Sequence, residues 1–176
     1  MARDVSNEEF LNKIEGEAAN REKEVHGCGR CVLAALMDRF ELGDKASADL
    51  IQKAMLPLSG GIAQKRNTCA AALGGLMGIG MVYFPGRLED AQIEDIMKAM
   101  ALGRQYYSRF EKEIGHIRCY DIREAGLGRC FDTADPDEYE KFVKAGGYEL
   151  CSSVVGKAAR LAAEFILEIR RERGAT

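Results

Sequence analysis

The residues in this chain with the most chemistry to offer are its six cysteines: Cys28, Cys31, Cys69, Cys119, Cys130 and Cys151. They form one close pair, Cys28-Gly-Arg-Cys31, and four singles. A thiol ligates a soft metal or attacks sulfur, and both uses require the thiolate. Cys28 follows Gly27 and Cys69 follows Thr68, so each is expected within the first turn of a helix. Unpaired amide donors and the helix dipole favour negative charge there, and the expectation is a lowered thiol pKa. The bland alternative is that a free cysteine is a small buried hydrophobe, which suits Cys151 beside Val154 and Val155.

The Cys28–Cys31 spacing narrows under elimination. Val32 stands where a c-type haem site has histidine, no βαβ pattern surrounds the pair, and a zinc ribbon's second C-x-x-C is missing. Glu24 followed by this pair resembles part of the alkylhydroperoxidase-D pattern, although Ala35 occupies the place of that pattern's histidine. His26 and His116 each lie near a cysteine, but neither has zinc-type spacing. Ser59-Gly60-Gly61 with Lys65-Arg66 lacks the P-loop pattern and reads as a plain turn.

The elements that must position these thiols read as helices throughout. Ser6 and Glu9 form a capping-box pair, and Phe10, Leu11, Ile14, Ala18 and Val25 mark one apolar stripe behind it. A second helix runs from Cys28 to about Glu41 with Val32, Leu33, Leu36, Met37 and Phe40 on one face. A third covers roughly Ser47 to Met55 and ends before Pro57. The helix opening at Cys69 carries Ala70, Gly74 and Gly78 four apart, a small-residue groove that admits another backbone. That groove suits a homodimer, and an intramolecular helix could fill it equally well. After Pro85-Gly86 a long helix is expected from Leu88 to about Glu113, with Ile93, Ile96, Met97, Met100, Tyr107, Phe110 and Ile114 facing inward. Gly115 to Arg129 reads as irregular. Asp135-Pro136 starts a further helix, and the last runs from about Tyr148 to Arg171. No stretch alternates with period two, so the expected fold is all-α: a compact bundle of about six to seven helices around the Ala/Gly helix. One domain spans 1–176, with 1–24 as an accessory N-terminal helix and 25–170 as the cysteine-bearing body.

Composition sets the outer limits. Twenty-five Lys and Arg against 28 Asp and Glu give a net charge of −3, without the clustered basic excess of a nucleic-acid binder. The uncharged run from Asn67 to Gly86 is diluted by glycines and reads as a buried helix rather than a membrane span. The charged N-terminus has no apolar stretch of signal-peptide type, so the expected compartment is the cytoplasm, where thiols stay reduced unless they bind metal or turn over.

A longer resemblance covers most of the chain. HGCGRCVLAALMDRFEL is similar to the opening of the C-GCAxxG-C-C family, whose members are classed as redox-active. CAAALGGLMGIGM resembles its C-G-A-x-x-G stretch, with Cys69, Ala71 and Gly74 matching and Ala70 replacing a glycine. IGHIRC and CSSVVGKAARLAAEFILEI supply the third and fourth cysteines as Cys119 and Cys151. The resemblance implies that Cys28, Cys69, Cys119 and Cys151 are a functional set, with Cys31 and Cys130 as extras. Four thiolates suit an iron–sulfur cluster or another metal ion used for electron transfer with a redox partner protein. The alternative is a metal-free thiol–disulfide oxidoreductase or sensor using Cys28 and Cys31.

Overall fold

The computed structural model describes residues 5–84 and 87–174. The Pro85-Gly86 break therefore lies outside the described residues, as does the side chain of Ser6, the expected cap. The chain is all-α. Among the described residues there are eight α-helices, two single 3-10 turns and no strand. The helices are α1 (Val5–Val25), α2 (Cys28–Phe40), α3 (Lys45–Met55), α4 (Ala70–Tyr83), α5 (Ile93–Ile114), α6 (Cys119–Leu127), α7 (Pro136–Lys144) and α8 (Gly147–Glu172). The count exceeds the expected six to seven by α6, which forms inside the stretch read as irregular.

Helix α8 is the element against which α1, α2, α4, α5, α6 and α7 all pack. Its inner face, Val155, Ala158, Ala159, Ala162, Phe165 and Ile166, is buried. Small residues dominate it, so neighbouring helices come close. Leu11, Ile14 and Ala18 of α1 are buried as their spacing predicts, but Val25 is exposed and the stripe ends instead on Glu22. All five residues expected on the inner face of α2 are buried. Asp44 caps α3: its Oδ1 accepts from the Ser47 amide at 2.8 Å.

The crossing of α2 over α4 is tight. A Cβ at Gly74 would stand 2.2 Å from the Gly29 carbonyl oxygen, and one at Gly29 would stand 2.6 Å from the Ala70 oxygen. Gly78 similarly accommodates Leu36. The groove along α4 is thus filled by α2 of the same chain, which removes the reason for expecting a homodimer there. Farther round α4, Gly75 makes room for Tyr106 of α5, whose hydroxyl donates to the Ala158 carbonyl at 3.2 Å.

Helix α5 departs from expectation. Phe110 is buried, and Tyr107 and Ile114 are half-buried, but Ile93, Ile96, Met97 and Met100 are exposed. Periodicity correctly placed these four on one stripe; it does not tell whether a partner stands opposite. No helix among the described residues is long and apolar enough to cross a membrane.

Candidate functional site

Three of the four separated cysteines sit at helix starts. Cys28 and Cys119 are the first residues of α2 and α6, and Cys69 is the N-cap of α4. Cys151 lies near the start of α8. All four line one small cavity of about 20 Å³, together with Gly61, Ile122 and Arg123. That is room for about one water-sized atom.

Local backbone structure sets this convergence. An isolated antiparallel bridge joins Thr68 to Arg118. Beside it the Cys69 amide donates to the Ile117 carbonyl at 2.8 Å, and the Cys119 amide donates to the Asn67 carbonyl at 2.7 Å. The start of α4 is thereby tied to the start of α6, which brings Cys69 and Cys119 to one side of the cavity. Cys28 and Cys151 line it with them, and Cys151 acts on the Cys28 thiol through a hydrogen bond. Cys28 Sγ also donates to Glu22 Oε1 at 3.5 Å.

The loop from Ser59 to Asn67, expected to be a plain turn, is not one. Gly60, Gly61, Ile62, Ala63 and Gln64 all have positive φ, between 50° and 74°, forming a short left-handed turn. For Ile62, Ala63 and Gln64 this costs roughly 1–2 kcal/mol per residue. Hydrogen bonds from the Ile62 amide to Leu58 O (2.9 Å) and from the Asn67 amide to Gly61 O (2.9 Å) hold it. It presses on the site: a Cβ at Gly61 would lie 2.7 Å from Cys119 Cβ. Strain of this kind collects at functional sites.

The electrostatics reverse the expectation of depressed thiol pKa values. The Cys151 hydrogen bond, followed by burial, holds the Cys28 thiol well above its ordinary value. Burial drives Cys69 upward as well, even though the amides of Ala71 and Ala72 hydrogen-bond its sulfur in the manner a helix start predicts. Cys119 is pushed up to about 11, chiefly by burial, with Arg123 opposing. For Cys28, Cys69 and Cys119, burial and neighbouring thiols outweigh the pull of the helix ends.

Two groups that the sequence reading passed over complete the surroundings. Glu22 is 2% exposed and accepts from the Cys28 thiol; burial raises its carboxyl above the ordinary range. The available signal was its position four residues after Ala18 on the apolar stripe, where a carboxylate is out of place. Arg123 is likewise buried, on the unpredicted α6. Outside the small cavity lies a cleft of about 220 Å³ between the left-handed turn and α7–α8, lined by His26, Ser59, Gln64 and Tyr148 among others. Cys28, Arg123 and Cys151 line both spaces and form the wall between them. The His26 ring stacks on Tyr148 with centroids 4.2 Å apart.

The remaining candidates fall outside the cavity. Cys31 is buried, its thiol donating to the His26 carbonyl at 3.4 Å, while the Cys28 thiol donates to Glu22. Cys130 is half-buried against the Phe131 carbonyl. His116 is exposed, and Glu24 of the alkylhydroperoxidase-D comparison points to solvent while Glu22 takes the place beside the thiols. Among the described residues, no three His, Cys, Asp or Glu side chains are grouped so as to hold a metal ion as they stand.

Fold and site together define an all-helical protein in which four cysteines line one small cavity. The chain belongs to the family described as "Putative redox-active protein (C_GCAxxG_C_C)", whose model matches residues 26–165. The match includes all six cysteines and Arg123 and leaves Glu22 outside it. No curated protein and no solved structure matches the chain.

Proposed function

We propose that Cys28, Cys69, Cys119 and Cys151 are the ligands of a redox centre that carries electrons to or from a partner protein, and that the group they hold is an iron–sulfur cluster. The observation that carries this reading is the convergence of four thiols, from four separate elements, on one small cavity beside an arginine with which no carboxylate among the described residues pairs. Four cysteine ligands suit a cluster of two or four irons, and the cavity, with room for about one water-sized atom as it stands, would have to widen to receive one. Bound there, a cluster would supply one-electron transfer. The chain's own part is to hold the sulfurs, exclude water and place the Arg123 charge.

Protein purified anaerobically should be coloured and contain iron and acid-labile sulfide. Cys→Ser at 28, 69, 119 or 151 should abolish both, and Cys130→Ser should keep them. Colourless, metal-free wild-type protein under those conditions defeats this reading.

One observation favours a second reading, the thiol contact between Cys28 and Cys151 beside Glu22. In a metal-free cycle Glu22 takes the Cys28 proton, and the thiolate attacks a partner's disulfide and expels one partner thiolate. Cys151 then attacks the mixed disulfide, releasing the second partner thiolate and leaving a Cys28–Cys151 disulfide. Mild oxidation should then remove two thiols per chain and yield a linked Cys28–Cys151 peptide. A linked Cys28–Cys31 peptide would return the chemistry to the C-x-x-C pair.

A further inference from the structure

Arg123 is a buried cation without an anion of its own. It is 5% exposed, its Nε has no hydrogen-bond partner, and its Nη1 donates to the neutral Thr133 Oγ1 at 3.3 Å. Its guanidinium lies 4.5 Å from the centre of the Phe142 ring. Nearby Arg66 has Asp132 at 2.8 Å, whereas no carboxylate among the described residues pairs with Arg123. What faces it is sulfur: Arg123 lines the small cavity with Cys28, Cys69, Cys119 and Cys151. Leaving a buried charge uncompensated is strongly unfavourable, so the fold is balanced only when those sulfurs carry negative charge.

We propose that Arg123 is the charge-balancing residue of the cysteine centre and sets its reduction potential. This rests on the reading that the four cysteines hold a cluster. Reduction adds one electron to a cluster held by four thiolates, so the reduced state is the more negative. A fixed cation in a desolvated site stabilises that state more than the oxidised one. Arginine suits the position because it stays charged when buried and its plane packs on an aromatic ring while donating to Thr133.

The competing explanation is structural: Arg123 could merely tie α6 to Phe142 and Thr133. Redox titration of the full chain, prepared anaerobically, separates the two. Arg123→Gln is expected to weaken reduction at least tenfold, a fall of about 59 mV for the one-electron couple. Arg123→Lys, which keeps the charge, should stay within about threefold of wild type. Phe142→Leu, which removes the packing surface and keeps the charge, should lower thermal stability and leave the potential in place. If Arg123→Gln does not fold while Arg123→Lys does and titrates normally, the charge requirement stands. A normal potential in Arg123→Gln overturns the proposal, as does an equal shift in Phe142→Leu or failure of both Gln and Lys variants to fold. Wild-type protein with no redox transition at all would instead defeat the underlying reading of the cysteines.

Discussion

The crossing of α2 over α4 and the first half of α5 have apolar residues at helical spacing, yet they end in opposite environments. At the crossing Gly29, Ala70, Gly74 and Gly78 let two backbones touch, and the segment is buried on nearly every side. In α5 the stripe Ile93, Ile96, Met97 and Met100 is 46–63% exposed. The difference lies in side-chain size. Small residues bury a helix by bringing a second backbone to it, and they fix its position to within an ångström. Large flexible ones bury it only where another element happens to stand. The cysteine centre is built on the first kind of contact, with Cys28 beginning α2 and Cys69 capping α4. A centre that needs several sulfurs held in register gains from that rigidity.

The sharpest way to break this comparison is to add volume at the crossing. Gly74→Val places a branched side chain where even a Cβ would stand 2.2 Å from the Gly29 oxygen. It should cost more than about 4 kcal/mol, read from urea denaturation, and separate Cys28 from Cys69. Gly80, on the same helix and exposed, has nothing within 4 Å of its would-be Cβ. Gly80→Ala should therefore gain about 0.5–1 kcal/mol through helix propensity. Equal losses at both positions would mean that α4 rejects side chains for a reason other than contact with α2.

These contacts also show which parts of the molecule sequence could reveal. Seven of the eight helices were legible because apolar spacing, prolines and glycine stops are local signals, and the order of four cysteines pointed to one set. The nine-residue α6 was not legible: Gly126 and Gly128 dilute it, and its start is fixed by the Thr68–Arg118 bridge to a distant segment. With α6 went Arg123. The left-handed turn was equally hidden, since Ile62, Ala63 and Gln64 have no intrinsic preference for positive φ and adopt it only within tertiary contacts. The thiols' raised pKa values escaped as well, because burial and mutual proximity act through space while the helix-start effect can be read along the chain.

Within α5 itself the comparison can be sharpened by pairing its two halves. Phe110 is fully buried beside Tyr106, and Phe110→Ala should cost roughly 3–4 kcal/mol. Met97, 59% exposed and thirteen residues earlier, should tolerate Met97→Lys within about 0.5 kcal/mol, because the methionine gives up little burial and lysine is an equally good helix former. The measurement is the denaturation midpoint in urea at several protein concentrations. A loss above about 1 kcal/mol that grows with protein concentration would show that the exposed stripe is covered in solution, because only an associated state makes stability depend on concentration. A concentration-independent result near zero would place the whole constraint of α5 in its second half, where Tyr106 fits against Gly75 and ties the helix to α4 and α8.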